Sequence, residues 1–247
     1  MAKRKDIIKG FHAIEEALDS GHQLKKVLIQ RGLKSETLAK LIIEFKRLSI
    51  NIQYVPKEKL NKLSGNNQGI IALSSPIEFI DLKELIPFLY EQGETPLIAI
   101  LDRISDVRNF GAIVRSAKFL GINGILIPEK GSAEINDIAI KTSSGALLKM
   151  NVCMEKNLVE SCKFLKESGL QIVSASEKAN ISLSEIDFLL PTAIILGAED
   201  TGISSGLLNI SDKTTLIPKK GSLDSLNVSV AAGIFFYEAS KGRGIES

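Results

Sequence analysis

From Pro96 onward the chain repeats one pattern: a short, near-continuous apolar run, a polar loop, then a stretch with helical spacing. The apolar runs at 97–101, 124–127, 171–174, 192–196 and 214–218 are predicted strands, and 109–120, 157–168 and 226–239 predicted helices. A strand that is apolar at successive rather than alternating positions is buried on both faces. Strands of that kind separated by helices form a mostly parallel sheet covered on both sides. Such sheets take their ligands in the crevice at the carboxyl ends of the strands. Functional residues are therefore expected in the loops that directly follow strands.

Upstream lies a smaller α/β unit. Residues 11–18 have helical spacing, 26–30 form a short apolar strand and 35–48 an amphipathic helix. A strand at 51–55, a short helix from Lys57, the turn Ser64-Gly65-Asn66-Asn67-Gln68-Gly69 and a strand at 70–73 complete it. Ser74-Ser75-Pro76 breaks this pattern, 81–90 reads as a connecting helix, and Gln92-Gly93-Glu94-Thr95-Pro96 punctuates again. The expected organisation is a small domain over 1–75, a linker over 76–95 and a larger domain over 96–247. Charge divides along the same line: residues 1–75 carry 14 Lys+Arg against 7 Asp+Glu, and 76–247 carry 17 against 22. A basic front on a slightly acidic body suits an anionic partner such as RNA. Lysines spread for solubility would give the same count.

Other classes are disfavoured. The two cysteines, Cys153 and Cys162, and two histidines, His12 and His22, fit neither a disulfide framework nor a zinc signature, so no metal is expected. No apolar run reaches the roughly 18 residues of a membrane helix, and the start lacks a secretory apolar stretch, so a cytoplasmic protein away from membranes is expected. Neither a Gly-x-Gly-x-x-Gly turn after a first strand nor a Walker lysine loop is present, which argues against dinucleotide enzymes and NTPases.

Three post-strand loops carry the polar residues of interest. In the first, 102–115, Asn109 sits near a helix start, where capping also accounts for it, and Arg115 lies nearly two turns on. In the second, Gly197-Ala198-Glu199-Asp200-Thr201-Gly202, two glycines permit close backbone approach around Glu199; a helix-capping turn is the equal alternative. In the third, Ile217-Pro218 leads through a polar turn to Ser225, Leu226 and Asn227 and a helix of small residues. Capping accounts for one of Ser225 and Asn227 but scarcely both. Residues alone stop at an α/β nucleotide-like site of open chemistry.

The three loops in this order resemble the motifs of the SpoU (TrmH-like) family of SPOUT RNA 2′-O-ribose methyltransferases. Asn109-Phe110-Gly111-x-x-x-Arg115 matches motif one and Gly197-Ala198-Glu199-x-x-Gly202 motif two. Ile217-Pro218 with Ser225-Leu226-Asn227-Val228-Ser229-Val230-Ala231 matches motif three, and the likeness covers about 96–242. Gly10-Phe11-His12-Ala13-Ile14-Glu15 and Gln68-Gly69-Ile70 resemble an L30e-like substrate domain. The combination is similar to the 23S rRNA guanosine 2′-O-methyltransferase branch.

The resemblance implies a SPOUT domain with a C-terminal deep trefoil knot, which periodicity cannot reveal. It implies a homodimer with the active site at the subunit interface, ribosomal RNA as partner, and S-adenosyl-L-methionine (SAM) as methyl donor, bound at Gly197, Ile217 and Leu226. Asn109, Arg115, Glu199, Ser225 and Asn227 fall at its catalytic positions, with Glu199 expected to orient Arg115 or its neighbours. The family assigns the arginine to activating the hydroxyl; a guanidinium keeps its proton, so phosphate clamping or hydroxyl orientation ranks at least as high. Two departures stand out: Val107 replaces the family's proline, and Asp224 a small or neutral residue. Alternatives are a tRNA enzyme, an enzyme of the thiopeptide-resistance rRNA site, and a non-catalytic RNA-binding assembly factor.

Overall fold

The computed structural model describes residues 7–20, 22–48, 50–222 and 225–243, so Asp224 lies outside the described residues. The chain divides into two compact units between Glu78 and Phe79. No helix among the described residues is long and apolar enough to cross a membrane.

The first unit runs β1 (Ile7–Lys9), α1 (Phe11–Asp19), β2 (Leu24–Gln30), α2 (Glu36–Arg47), β3 (Asn51–Val55), α3 (Lys57–Leu63) and β4 (Ile70–Ser74). Its sheet has the order β1-β4-β2-β3, with β2 and β3 parallel and β4 antiparallel to both its neighbours. Successive side chains of a strand face opposite ways, so β2 feeds two cores. Val27 and Ile29 join Ile70 and Ala72 beneath Ile14 of α1 and Leu38, Leu41 and Phe45 of α2. Leu28 joins Val55 and Ile71 against Leu60 of α3. The three-residue strand β1 was not expected from the sequence, being too short to show a period.

The second unit continues with α4 (Leu82–Glu91), β5 (Leu97–Asp102), α5 (Val107–Phe119), β6 (Gly124–Pro128), α6 (Asp137–Thr142), β7 (Val152–Glu155), α7 (Leu158–Glu167), β8 (Gln171–Ala175), β9 (Ile181–Ser182), β10 (Thr192–Gly197), α8 (Ser205–Ile210), β11 (Lys213–Leu216) and α9 (Val228–Ser240). Seven strands form one sheet in the order β7-β6-β5-β10-β8-β11-β9, and every pairing is parallel. The α/β class with a mostly parallel sheet is thus as expected. β5 and β10 lie side by side at its centre, buried along their length apart from Gly197, and register places Asp102 opposite Gly197. The loops that follow these two strands, far apart in sequence, are therefore neighbours.

Two expectations change. The stretch 76–95, expected as a linker, contributes α4, whose Leu82, Leu85, Ile86 and Leu89 pack into the second unit's core with Ile98, Ile100, Leu126, Leu165 and Ile172. An amphipathic helix buries its apolar stripe where a sheet face is available, which a reading by punctuation misses. Helix α5 begins at Val107 rather than Asn109, because Asp106 is its cap: its Oδ1 accepts from Arg108 N at 2.9 Å and Asn109 N at 2.7 Å. That leaves the Asn109 side chain free for other work.

Candidate active site at the carboxyl ends of the central strands

The loop after β10 is built around Gly197. A Cβ at Gly197 would stand 2.3 Å from the Gly202 carbonyl carbon and 2.4 Å from Ile203 N, so the returning backbone crosses directly over it. Gly202 N donates to Ala198 O at 2.8 Å, and these two residues form an antiparallel bridge. Gly202 itself takes a left-handed φ of +63° that suits glycine. The result is a tight hairpin with Glu199 at its near side.

Glu199 gathers the three loops. Its Oε1 accepts from Asn109 Nδ2 at 3.2 Å, from Asn227 Nδ2 at 2.6 Å and from the Val228 backbone at 3.1 Å. Asn227 Nδ2 also lies 3.1 Å from Asn109 Oδ1. Asn227 is at the same time the N-cap of α9, its Oδ1 accepting from Ser229 N at 2.9 Å and Ser229 Oγ at 2.6 Å. A carboxylate on the first amide of a helix also sits at the favourable end of its dipole. Of the two polar residues before α9, Asn227 is therefore the cap, and it serves the cluster as well. The flanking motif residues are structural: Phe110 is buried, and a Cβ on Gly111 would meet Thr142 Cβ at 2.7 Å, so α5 lies close on α6 there.

Beside this cluster is a cavity of about 430 Å³. Thr215, Leu216, Ile217 and Pro218 form one side, Ser225, Leu226, Ala231 and Phe235 another, and Ala175, Ser176 and Glu177 the end of β8. Ile217, Leu226 and Ser225 thus meet in one pocket, while Gly197 is not among its lining residues. Among the described residues Ser225 forms no hydrogen bond with Asn109, Glu199 or Asn227.

Arg115 is the residue the cluster leaves out. It is exposed on α5 and has no hydrogen-bond or ion-pair partner among the described residues. Of the two alternatives expected for Glu199, Arg115 or its neighbours, the described residues show it with a neighbour, Asn109, together with Asn227 and the first amide of α9. Arg115 lies nearly two turns beyond Asn109 and so faces another direction. Both thiols are buried, and burial pushes Cys153 and Cys162 up to about 12, which leaves neither as a nucleophile.

Sequence reasoning missed Asp102 and Arg103. Asp102 is only 4% exposed, closes an otherwise apolar strand, and accepts from Ser204 N at 2.7 Å. A charged pair ending a fully buried strand was the available signal. Asp106 was passed over in the same way, its Asx-type cap hidden behind the more conspicuous Asn109.

A parallel sheet whose central strands deliver such a cluster beside an apolar cavity defines an α/β protein with a ligand site at its strand ends, and comparison with known proteins places it. The profile of the SpoU rRNA Methylase family matches residues 96–237, and that of RNA 2′-O ribose methyltransferase substrate binding matches residues 7–80. A protein of Staphylococcus haemolyticus named as a TrmH family tRNA/rRNA methyltransferase is 32% identical over 238 residues, 96% of each chain. The SpoU methyltransferase AviRb from Streptomyces viridochromogenes, solved in complex with AdoMet, has a TM-score of 0.62 at 23% identity over 96% of this chain and 90% of its own, and so shares the fold. The A. aeolicus TrmH/SpoU tRNA modifying enzyme has a TM-score of 0.56 at 32% identity, covering 66% of this chain and 84% of its own. The chain belongs to the SpoU (TrmH-like) family of RNA methyltransferases.

Proposed function

We propose that this protein transfers a methyl group from SAM to the ribose 2′-hydroxyl of a guanosine in 23S ribosomal RNA. The observation that carries the reading is the convergence of Asn109, Glu199 and Asn227 from three separate loops beside one apolar cavity. The cavity suits the cofactor: its volume is within the range of small-molecule sites, and its walls are mainly aliphatic, aromatic and hydroxyl-bearing side chains, with the charged Glu177 and Lys219 also lining it. Ile217 and Leu226 would hold the adenosyl part there, with Gly197 closing the turn alongside.

SAM supplies a methyl group on an activated sulfonium leaving group. The chain's own residues would align the hydroxyl against it, and the hydroxyl proton would pass to solvent. Asn109 and Asn227, locked by Glu199, present amide groups in a fixed geometry to a ribose. Ser225 lies at the cavity wall, where its hydroxyl can meet the nucleoside. A guanidinium is a poor general base, so Arg115 serves as a clamp on phosphate or an orienter of the hydroxyl.

Homodimerisation belongs to the same proposal. Arg115 and Phe119, the latter 87% exposed, lie one turn apart on α5, which packs beside α9. Leu226, Val230, Ile234 and Tyr237, spaced along the start and length of α9, are also exposed. Apolar stripes of this kind are those that subunit interfaces cover. In this reading Arg115 reaches the site of the opposite protomer, which accounts for its having no partner among the described residues of its own chain. A C-terminal trefoil knot, implied by the family, belongs to the same proposal.

The first unit would hold the RNA. Lys9, Arg31, Lys34 and Lys57 are exposed around the pole where β1, β2 and β3 end, beside the Asn66–Gly69 turn. Four cations at one pole suit a phosphate backbone. An RNA substrate puts the protein in the cytoplasm. The test is a map of 2′-O-methyl groups in RNA from a deletion strain. One guanosine of 23S rRNA is expected to lose its methyl group; unchanged large-subunit rRNA overturns the proposal, and a methyl lost from tRNA assigns the tRNA reading instead.

A further inference from the structure

We propose that Arg103 is a positioning residue that holds the Glu199 hairpin in register with the end of β5, and so sets the geometry of the whole cluster. The inference rests on the reading of Asn109, Glu199 and Asn227 as the active site.

Arg103 has a φ of +58°, a left-handed backbone that glycine adopts freely and a side chain disfavours. Strain of this kind persists where surrounding contacts over-determine it. The contacts here are specific. Arg103 Nε donates to Asp102 Oδ1 at 3.1 Å, and Nη2 lies 3.3 Å from Asp102 Oδ2 and 3.1 Å from the Gly202 carbonyl. The left-handed turn thus folds the guanidinium back onto the carboxylate that precedes it and across to the neighbouring loop.

Asp102 joins the loops a second time, since its Oδ2 accepts from Ser204 N at 2.7 Å. Asp102 and Gly197 are register partners on adjacent parallel strands. The return arm of the hairpin, Gly202 to Ser204, is therefore tied to the end of β5 by one carboxylate and one guanidinium. Its outward arm carries Glu199, whose Oε1 fixes Asn109, Asn227 and Val228. A fork of parallel N–H groups can serve a carboxylate and a carbonyl together, which a lysine cannot reproduce.

A plain surface ion pair is the competing account, because the Arg103 side chain is 42% exposed and such pairs contribute little. The two accounts part at Val228. Its amide donates to Glu199 Oε1 and stands at the first position of α9, where no intrahelical acceptor exists. Protection of that amide from hydrogen exchange therefore reports where Glu199 is, with no need for substrate.

The test uses the full chain with Arg103→Ala, Arg103→Lys and Asp102→Asn. Arg103→Ala is expected to speed exchange at Ser204 and Val228 about tenfold while the amides of β5 and β6 keep their rates. Arg103→Lys should recover part of the protection. In methyl transfer, Arg103→Ala should lower kcat about tenfold, and less than twofold when Glu199 is already alanine, as expected of two residues acting through one contact. Unchanged exchange at Val228 in Arg103→Ala overturns the proposal, as does a full tenfold loss of kcat in the Glu199→Ala background. If the wild-type chain methylates no RNA, the functional reading fails, and the exchange rates still judge the positioning role.

Discussion

Gly197→Ala is the sharpest test of how the site is built. The added Cβ would lie 2.3 Å from Gly202 C, 2.4 Å from Ile203 N and 2.6 Å from Gly202 O, all of them backbone atoms. Ordinary carbon contacts begin near about 3.5 Å, so the returning strand must withdraw by about 1 Å. No flexible side-chain end is available to absorb the shift. Overpacking of this kind costs about 1–3 kcal/mol, which at about 2–4 °C per kcal/mol lowers the melting temperature by roughly 2–12 °C. The same displacement carries Glu199 away from donors now 2.6–3.2 Å distant, beyond hydrogen-bond reach. A misplacement of about 1 Å costs on the order of a hundredfold in rate. Thermal unfolding by circular dichroism and transfer of labelled methyl groups to RNA measure both quantities. A Gly197→Ala protein with wild-type melting and wild-type transfer would refute the reasoning, because it would mean that the crossing of 202 over 197 is not needed.

Two further outcomes follow from the same geometry. If Arg115 serves the opposite protomer, Arg115→Ala and Glu199→Ala chains, each about a hundredfold slower alone, should regain about a quarter of wild-type activity when refolded together in equal amounts, since half the dimers are mixed and each has one intact site; a mixture no more active than its parts would remove Arg115 from the partner's site. The folded protein should resist alkylation at pH 8, because burial pushes both thiols from the usual 9.0 to about 12. The sign follows: with folded values raised, the thiols' contribution to stability is whole below pH 9 and is lost as pH rises toward about 12, so alkaline unfolding monitored by fluorescence-detected thiol labelling should set in across that window. Rapid labelling of folded protein at pH 8 would contradict the buried placement.

Several features were legible in the residues because they follow from local physics. The doubly buried strands after Pro96 leave no polar face, and with helices between them that pattern fits a helix-covered parallel sheet. The loops that carry Asn109, Glu199 and Asn227 were legible as well, since loops after such strands converge at one edge; the family resemblance is what marked these residues within them. Short elements escaped for the opposite reason: α6 and α8 have six residues each and β9 two, too few to display a period. The stretch 76–95 looked like a linker because Pro and Gly flank it, whereas the apolar stripe of α4 found a sheet to cover.

What the tertiary structure alone decided is which partner each polar group takes. Composition and order could name Glu199 and Arg115 but could not tell that the carboxylate would be claimed by two asparagines and the first amide of α9, with Arg115 left without a partner among the described residues. Nor could they tell that Asp106, not Asn109, caps α5, or that Arg103 would turn left-handed to reach Gly202. Periodicity reports which face a residue occupies, and that depends on its neighbours in sequence. Hydrogen-bond partnership depends on distances of about 3 Å between loops some ninety to a hundred residues apart, and only the packed sheet, with β5 beside β10, sets those distances.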